Sequence, residues 1–199
     1  MTERKKEILE LARTLFREKG YTSTSMRDIA AAAKVEPASL YSHFKGKEEL
    51  LDAICFDMAD RFLLAIKEVN DIYFDAVQRL AMAVKNHIGI LTSYPDAAMV
   101  FQHDWRFLNE KRRADFISLR DQYEEGLRDI IRGGIDEGAF NQVDVKFSTL
   151  TILSSLNWVV EWYREDGRLS PDEIAENLTK FILTGLKKEL PPSYDIVTD

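Results

Sequence analysis

Apolar residues recur at intervals of three and four along most of the chain, a spacing that places them on one face of an α-helix. The first such stretch covers about 3–19 and ends before Gly20, a residue typical of helix C-termini. The residues that share its apolar face are Ile8, Leu11, Ala12, Leu15 and Phe16. No stretch alternates with the period of two that indicates a strand, so the pattern predicts an all-α protein.

Two short helices are predicted next. Ser25 and Asp28 have the spacing of a capping box, which opens an alanine-rich helix that includes Ile29 to Ala33. The Glu36-Pro37 step marks the start of the other, because proline is tolerated at the first helical position.

Six longer helices are predicted after these. Asp144 is a predicted N-cap, and the sequence from Ser170 to Glu173 combines a cap, an N1 proline and a capping box. The approximate bounds are 47–70, 72–92, 95–107, 111–137, 144–164 and 171–188. The chain is therefore expected to have about nine helices, followed by a short tail at 191–199.

Composition narrows the class of protein. The chain has 199 residues, of which 45% are apolar and 31% charged, so it can bury a large core. Its one cysteine, Cys55, excludes a disulfide framework and fits a reducing compartment. The N-terminus is charged where a signal peptide is apolar, and no run approaches the ~18 apolar residues of a membrane span. We therefore expect a soluble cytoplasmic protein that does not associate with membranes.

The net charge of −7 is unevenly distributed. Residues 1–50 carry a balance of +2, whereas the remaining 149 residues carry −9. A mildly basic N-terminal region on an acidic body fits a protein that contacts a polyanion at one end only.

The N-terminal helices have the dimensions of a helix-turn-helix, two short helices backed by a longer one. Leu40 and Phe44 are four residues apart and are expected to face the core, which leaves the residues between them mostly outside. The segment from Gly20 to Ala30 and the string Leu40-Tyr41-Ser42-His43-Phe44-Lys45-Gly46-Lys47-Glu48-Glu49-Leu50 resemble the TetR family of bacterial transcriptional regulators. The resemblance covers about residues 4–51. It implies a DNA-binding domain at 1–47 and an effector-binding and dimerisation domain at 48–190.

The resemblance also implies a set of DNA contacts. Small residues of the third helix let its backbone approach base edges in the major groove, while hydroxyls, an imidazole and cations can bind phosphates. The implied contact residues are Thr24, Ser25, Arg27, Glu36, Ala38, Ser39, Tyr41, Ser42, His43 and Lys47. Ser25 alternatively only caps its helix, and Tyr41 alternatively packs on the first helix.

Two positions depart from the family pattern. Lys34 stands where a glycine usually ends the second helix, and holding its side chain at positive φ costs about 1 kcal/mol. Glu36 stands where a serine or threonine usually precedes the recognition helix. A carboxylate there repels phosphates unless it accepts from a cytosine amino group, so the operator sequence cannot be transferred from relatives.

The C-terminal two thirds are expected to form the dimer. Twelve of the 21 residues from Val143 to Tyr163 are apolar or aromatic and occupy more than one helical stripe. Such a helix is buried on two sides, by its own domain and by a partner. The last helix has a similar pattern, so we expect a homodimer formed through the last two long helices.

A second, looser resemblance concerns the effector. The segment from Leu156 to Pro171 is similar to TetR-type regulators of fatty-acid, aromatic-acid and sterol degradation, which release DNA on binding acyl-coenzyme A thioesters. It implies an apolar tunnel with basic residues near its mouth. The aromatic candidates are Phe101, Trp105, Phe107, Trp158 and Trp162, and the candidates for phosphates are His103, Arg106, Lys111, Arg112, Arg113 and Arg120.

Each of these candidates has a structural alternative. Aromatic residues at helical spacing more often belong to the core, and the basic run that begins at Lys111 is most simply a solvated helix start. Asn157 and Glu161 either orient a ligand or set the register of the dimer, and the register interpretation is favoured.

No catalytic or metal-binding motif is found, so we expect a regulator that is not an enzyme and has no cofactor apart from its effector. The three histidines are far apart and lie outside known metal patterns. The leading hypothesis is a homodimeric repressor that a small molecule releases from a pseudo-palindromic operator. Two alternatives stay open: a ligand-independent regulator or activator of the same fold, and a helical small-molecule-binding protein without operator specificity.

Overall fold

The computed structural model describes residues 2–187, which form an assembly of α-helices without a strand. The helices in chain order are α1 (Glu3–Lys19), α2 (Met26–Ala32), α3 (Pro37–His43), α4 (Lys47–Asp71), α5 (Ala76–Ser93), α6 (Pro95–His103), α7 (Glu110–Asp136), α8 (Val145–Asn157), α9 (Val159–Trp162) and α10 (Pro171–Leu186). A short 3-10 turn, Asp104–Phe107, follows α6. The prediction of an all-α protein is confirmed.

The first three helices form as their end signals predict. α1 has the predicted bounds, buries Ile8, Ala12 and Phe16, and stops at Gly20, whose φ is +83°. The Ser25–Asp28 capping box opens α2. Pro37 is the first residue of α3, and Leu40 and Phe44 are buried as predicted.

Helix α4 connects the two predicted domains without a break. It begins at Lys47, where its first turn buries Leu50 and Leu51, and it ends at Asp71 among the helices of the body. Along this length it packs against α1, α5, α6 and α7. Helix α4 is therefore a continuous structural connection between the N-terminal helices and the body.

Several predicted bounds differ from those of the structure. The predicted helix 72–92 begins only at Ala76, because Asp75 forms a capping box with Gln78. The predicted helix 144–164 is divided at Trp158 into α8 and α9. The predicted N-caps Asp144 and Ser170 are confirmed. The predicted tail at 191–199 lies outside the described residues.

The body helices pack around one another. α7 packs across α4, α5 and α8, and α10 lies along α5. Within residues 2–187, no helix is both long and apolar enough to cross a membrane.

Candidate nucleic-acid interface and ligand cavity

Helix α3 presents a polar face away from the core. Leu40 anchors the helix and is fully buried, whereas Ala38, Ser39 and Ser42 are exposed and Tyr41 is 53% exposed. Small side chains on this face leave the helix backbone accessible, and the tyrosine hydroxyl can donate to a phosphate or a base. This is the arrangement that a recognition helix needs.

The start of α2 offers a second polar region. Arg27 is exposed in the first turn of this helix. Ser25 caps the helix: its Oγ accepts from the Asp28 backbone N–H at 3.2 Å and lies 2.5 Å from Asp28 Oδ2. The structure therefore contains the capping interaction that was the alternative role of Ser25.

Thr24 does not face solvent, which corrects its prediction as a DNA contact. Its side chain is 1% exposed, and Oγ1 lies 2.9 Å from the Gly20 carbonyl and 3.2 Å from that of Leu15. The hydroxyl fastens the loop before α2 to the end of α1. Sequence showed only a polar residue in a polar segment, whereas its burial depends on how the loop folds back.

Lys47 is also directed inward, which corrects its prediction as a phosphate contact. Its Nζ donates to the carbonyls of Tyr21 at 2.6 Å and Thr24 at 2.9 Å. The ammonium lies 4.3 Å from the centroid of the Tyr21 ring. These contacts occupy the charge and join the start of α4 to the loop between α1 and α2.

The two positions that depart from the family pattern lie between α2 and α3. Lys34 has a φ of +53°, as predicted for the position that ends α2. Glu36 is exposed as the N-cap residue of α3 and makes no side-chain capping bond. Its carboxylate is therefore exposed next to the polar face of α3.

A cavity of about 310 Å³ lies among α4, α5, α6, α7 and α8. This volume is at the lower end of the ~300–1,000 Å³ that is usual for small-molecule sites. Phe62 and Phe101 form its buried wall with ring centroids 5.4 Å apart. Towards α7 the lining is more open, since Ile117 is 40% exposed.

Four polar side chains from four helices are joined in the buried part of the wall. His87 of α5 has Nδ1 2.8 Å from the Tyr123 hydroxyl and Nε2 3.2 Å from Asn157 Oδ1. Gln102 donates from Nε2 to the same Asn157 oxygen at 2.5 Å. We call His87, Gln102, Tyr123 and Asn157 the polar quartet.

The neutral state of His87 and the acceptor oxygen of Asn157 together set the direction of these hydrogen bonds. Burial lowers the pKa of His87 to about 4, although the Asn157 hydrogen bond opposes the shift. The ring is therefore neutral at pH 7, with Nε2–H donating to Asn157 and Nδ1 accepting from Tyr123. Burial raises the pKa of Tyr123, so its hydroxyl keeps the proton that it donates.

Arg120 of α7 supplies a cation to the cavity lining. Within residues 2–187 its guanidinium has no hydrogen-bond or ion-pair partner, and it lies 5.3 Å from the Trp105 ring. Burial and the neighbouring Arg106 lower its pKa, whereas the carboxylates of Asp121 and Glu124, which also line the cavity, oppose the shift. A half-buried guanidinium that forms no ion pair within the described residues can bind an anionic group of a ligand, although Asp121 and Glu124 lie nearby.

Of the predicted pocket residues, Phe101, Trp105, Arg120 and Asn157 line the cavity. The other candidates do not, which corrects their prediction; they are Phe107, Lys111, Arg112, Arg113, His103, Arg106, Trp158 and Trp162. His103 is exposed and its Nε2 lies 2.6 Å from Glu161 Oε1, and Arg106 stacks on Trp105 from outside. Trp158 and Trp162 are 65% and 43% exposed.

Helical geometry at the end of α8 explains why Trp158 does not line the cavity. Asn157 faces the cavity, and the following residue in a helix points about 100° away from it. Trp158 therefore faces solvent. Asn157 has the ligand-facing orientation, whereas the favoured interpretation was dimer register; Glu161 is turned to His103 instead.

Sequence analysis missed Phe62, His87, Gln102 and Tyr123 as parts of one site. One signal was present: His87 is a lone titratable residue on the apolar face of a helix, between Val84 and Ile88, which are both buried. A histidine in this setting needs hydrogen-bond partners. Its partners, Tyr123 and Asn157, come from two other helices, and spacing along the chain does not indicate them.

A second surface feature lies on α8 and α10. Phe147, Leu150 and Trp158 recur at helical spacing and are 71%, 44% and 65% exposed. Phe181 on α10 is 75% exposed. We call these four residues the exposed apolar face. Exposed large apolar side chains on two helices that contact each other make this a candidate interaction surface.

Comparison with known proteins adds family matches over most of the chain. Residues 8–54 match the model described as "Bacterial regulatory proteins, tetR family". Residues 73–186 match the model described as "Tetracyclin repressor-like, C-terminal domain". The second match alone covers more than half of the chain.

Individual relatives align over nearly their whole length. The HTH-type transcriptional repressor KstR2 of Rhodococcus jostii is 30% identical over 186 residues, which are 92% of this chain and 91% of the relative. The regulator PfmR of Thermus thermophilus is 34% identical, with a TM-score of 0.84 over 91% of this chain and 99% of that one. AibR, solved with isovaleryl coenzyme A and operator DNA, is 30% identical, with a TM-score of 0.81 over 90% and 97%.

Proposed function

This chain belongs to the TetR family of bacterial regulatory proteins, and from this premise we propose that it is a homodimeric repressor released from its operator by an acyl-coenzyme A thioester. The family consists of DNA-binding regulators and not of enzymes. The observation that carries the proposal is a cavity that combines the apolar rings of Phe62, Phe101 and Trp105 with the guanidinium of Arg120, which forms no ion pair within the described residues.

The DNA contacts are proposed on the exposed face of α3 and at the start of α2. Residues 1–47 are the DNA-binding domain, and the acidic remainder to residue 190 binds the effector and the second subunit. The proposed contacts are the predicted ones without Thr24 and Lys47, whose polar groups are occupied within the chain, and without Ser25, which caps α2. They are Arg27, Glu36, Ala38, Ser39, Tyr41, Ser42 and His43. The protein acts where chromosomal DNA lies, in the cytoplasm.

The dimer is proposed to form through the exposed apolar face of α8 and α10. Burying Phe147, Leu150, Trp158 and Phe181 against a second copy removes a large apolar area from water. A twofold axis through this face pairs the two recognition helices on one duplex. Their spacing on a pseudo-palindromic operator is one helical turn of DNA, ~34–36 Å.

The effector is proposed to place only its acyl group in the cavity. A cavity of about 310 Å³ accommodates a small apolar group but not the nucleotide portion of coenzyme A. The coenzyme A portion then extends out of the cavity past Arg120, whose guanidinium can bind a phosphate. AibR, the relative solved with a short branched acyl-CoA, supports this class of effector.

Release follows from a difference in affinity between two conformations. An effector that binds more tightly when the two recognition helices are wrongly spaced shifts the population away from DNA. The size of the shift equals the difference in binding free energy between the two conformations. In this chain α4 and α6 contact both the cavity and the N-terminal helices, so they are the proposed route of coupling.

The test is fluorescence anisotropy on a labelled duplex from upstream of the protein's own gene. Acyl-CoA thioesters of increasing chain length are titrated into the complex, with free coenzyme A and free acids as controls. We expect specific, salt-dependent binding that one group of thioesters abolishes. Specific binding that no thioester changes would contradict the effector part and support a ligand-independent regulator.

A further inference from the structure

The polar quartet leaves two hydrogen-bonding groups available at the buried end of the cavity. Asn157 Oδ1 accepts from both His87 and Gln102, so its own NH₂ group is not used in that network. Gln102 donates through Nε2, which leaves its Oε1 unused. Both residues line the cavity, and neither atom is among the buried unsatisfied groups of the described residues. The Asn157 NH₂ and the Gln102 Oε1 are therefore not fully buried, and both belong to residues that line the cavity.

One of these two groups is a hydrogen-bond donor and the other an acceptor, and neighbouring contacts restrain their orientation. The orientation of Asn157 is set by the two hydrogen bonds to its oxygen, and His87 is held in turn by the Tyr123 hydroxyl. Phe62 packs on His87 with ring centroids 4.7 Å apart, which further restrains the imidazole. The site therefore offers one donor, from Asn157, and one acceptor, on Gln102, in a rigid setting.

A purely hydrocarbon ligand would fill this end of the cavity at a cost. It would leave the Asn157 NH₂ and the Gln102 Oε1 without a hydrogen bond beside the apolar Phe62 and Phe101. A site built to hydrogen-bond an oxygen function discriminates strongly against the analogue that lacks it. An alkyl group therefore fits Phe62 and Phe101 well but fits the two amides poorly.

We infer that the effector carries an oxygen function at the buried end of its acyl group, and that Asn157 and Gln102 select for it. A hydroxyl group satisfies both amides, because it accepts from Asn157 and donates to Gln102. A ketone satisfies Asn157 alone. The role of this ligand as an effector rests on the proposed function, whereas the preference for an oxygen-bearing ligand is a property of the cavity itself.

The thioester carbonyl does not fill this role. Coenzyme A cannot enter a cavity of this volume, so the thioester group lies at the open side towards α7 and Arg120. The two amides come from α6 and α8, whereas Arg120 is on α7. His87, which holds Asn157, packs against the buried Phe62. We therefore take the selected oxygen to be a second one, distinct from that of the thioester.

The first experiment measures the cavity's selectivity without coenzyme A. Phenol and toluene have nearly the same shape and differ in one hydroxyl group, and their binding to the full-length protein is measured by calorimetry and thermal shift. We expect phenol to bind at least about tenfold more tightly than toluene. Equal binding, tighter binding of toluene, or no binding of either probe would overturn the inference.

Two variants assign the selectivity to the amides. Asn157→Leu and Gln102→Met each remove one amide at similar volume, and Ser154→Ala on the same helix is the matched control, since Ser154 is exposed and bonds only to its own helix. We expect phenol and toluene to bind within about threefold of each other in Asn157→Leu, with Ser154→Ala unchanged. Retention of the full preference in both amide variants, each verified as folded by its thermal transition, would contradict the assignment.

A second pair of probes separates this inference from the proposed function. Hexanoyl-CoA and 6-hydroxyhexanoyl-CoA differ only at the end that reaches the quartet, and their release of operator DNA is compared. We expect the hydroxylated thioester to act at a concentration at least about tenfold lower. If neither thioester releases DNA while phenol is still preferred over toluene, the thioester proposal fails and the selectivity stands. If both act equally and the phenol preference is absent, the inference fails and the proposed function stands.

Discussion

Lys34 ends α2 in a conformation that glycine adopts at little cost. Its φ is +53°, and the backbone around it forms a paired C-terminal motif, with Val35 N–H donating to the Ala30 carbonyl and Lys34 N–H to that of Ala31. We predict that Lys34→Gly raises the free energy of unfolding by about 1 kcal/mol, which for this length is a rise in Tm of about 2–4 °C. Thermal denaturation followed by circular dichroism measures it.

The control for this change is Lys34→Ala, which removes the same charge but keeps a side chain at positive φ. It is expected to leave Tm within about 1 °C of the original. Equal gains from both variants would mean that charge, and not backbone strain, limits stability at this position.

His87 makes the stability of the fold sensitive to acid. Burial lowers its pKa to about 4 from an ordinary value of 6.5, so the unfolded chain binds a proton that the folded chain excludes. The contribution is complete above about pH 6.5 and is lost as the pH falls towards 4, by at most about 3 kcal/mol. We predict that the imidazole carbon resonances of His87 keep their neutral positions down to about pH 5 in NMR titration. Protonation near pH 6.5 in the folded protein would contradict this account.

Three single positions show which structural features could be predicted from the sequence alone. The strain at Lys34 could be predicted because it depends only on residues at the C-terminal end of α2. The burial of Thr24 could not, because its hydroxyl bonds to the Leu15 carbonyl of the preceding helix. The inward position of Lys47 likewise depends on the Tyr21 and Thr24 carbonyls, which lie more than twenty residues away in the chain.

Helix ends were predicted well wherever a cap lies next to them in the sequence. The capping boxes at Ser25 and Ser170 are both present, and α1 has the predicted bounds. The break at Trp158 was missed because neither proline nor glycine marks it. Trp158 instead keeps αR backbone angles, with φ −61° and ψ −19°, and the next helix begins directly after it.

Contacts between α1 and α6 link the cavity to the DNA-binding helices. At the start of α6, Asp96 accepts from Arg17 Nη1 and from Thr14 Oγ1, each at 2.6 Å. The same helix carries Phe101 and Gln102 into the cavity wall. We predict that Asp96→Ala leaves thioester affinity unchanged but raises the concentration that releases operator by about two- to fivefold, since a partly exposed ion pair contributes about 0.5–1 kcal/mol.

The matched control for this link is Lys85→Ala. It removes an exposed ion pair to Asp172 that joins α5 to α10 within the body. Thioester binding by calorimetry and operator release by anisotropy are measured for both variants. A similar shift in the control, or none in Asp96→Ala, would show that the α1–α6 contact does not carry the coupling.

The exposed apolar face accounts for assembly of the whole molecule. We predict that Phe181→Glu produces a monomer, because burying a carboxylate in an apolar interface is strongly unfavourable. Operator affinity is expected to fall at least tenfold, since two half-sites no longer bind together. Light scattering after size-exclusion chromatography measures the mass, and Tyr73→Glu, at a fully exposed aromatic outside this face, is the control. A dimer of Phe181→Glu that binds operator normally would contradict the proposed interface.

The cavity is the part of the molecule that sequence could predict least. Phe101, Trp105, Arg120 and Asn157 were selected as bulky, basic or polar residues within the helices of the body, and they do line it. His87 and Tyr123 were not selected, because their role exists only where α5 and α7 meet. A ligand site assembled from five helices has no single spacing that identifies it.

The most direct test of the account fills the cavity and asks whether DNA release is lost. Leu153 lines the cavity from α8 and is partly buried, so Leu153→Trp occupies ligand space without changing the DNA-binding helices. Ile90→Trp, outside the cavity, is the control. In an anisotropy titration of the operator complex we predict unchanged operator affinity for Leu153→Trp and a release concentration at least about tenfold higher than for the original protein. Release of Leu153→Trp at the original concentration would show that the effector binds elsewhere.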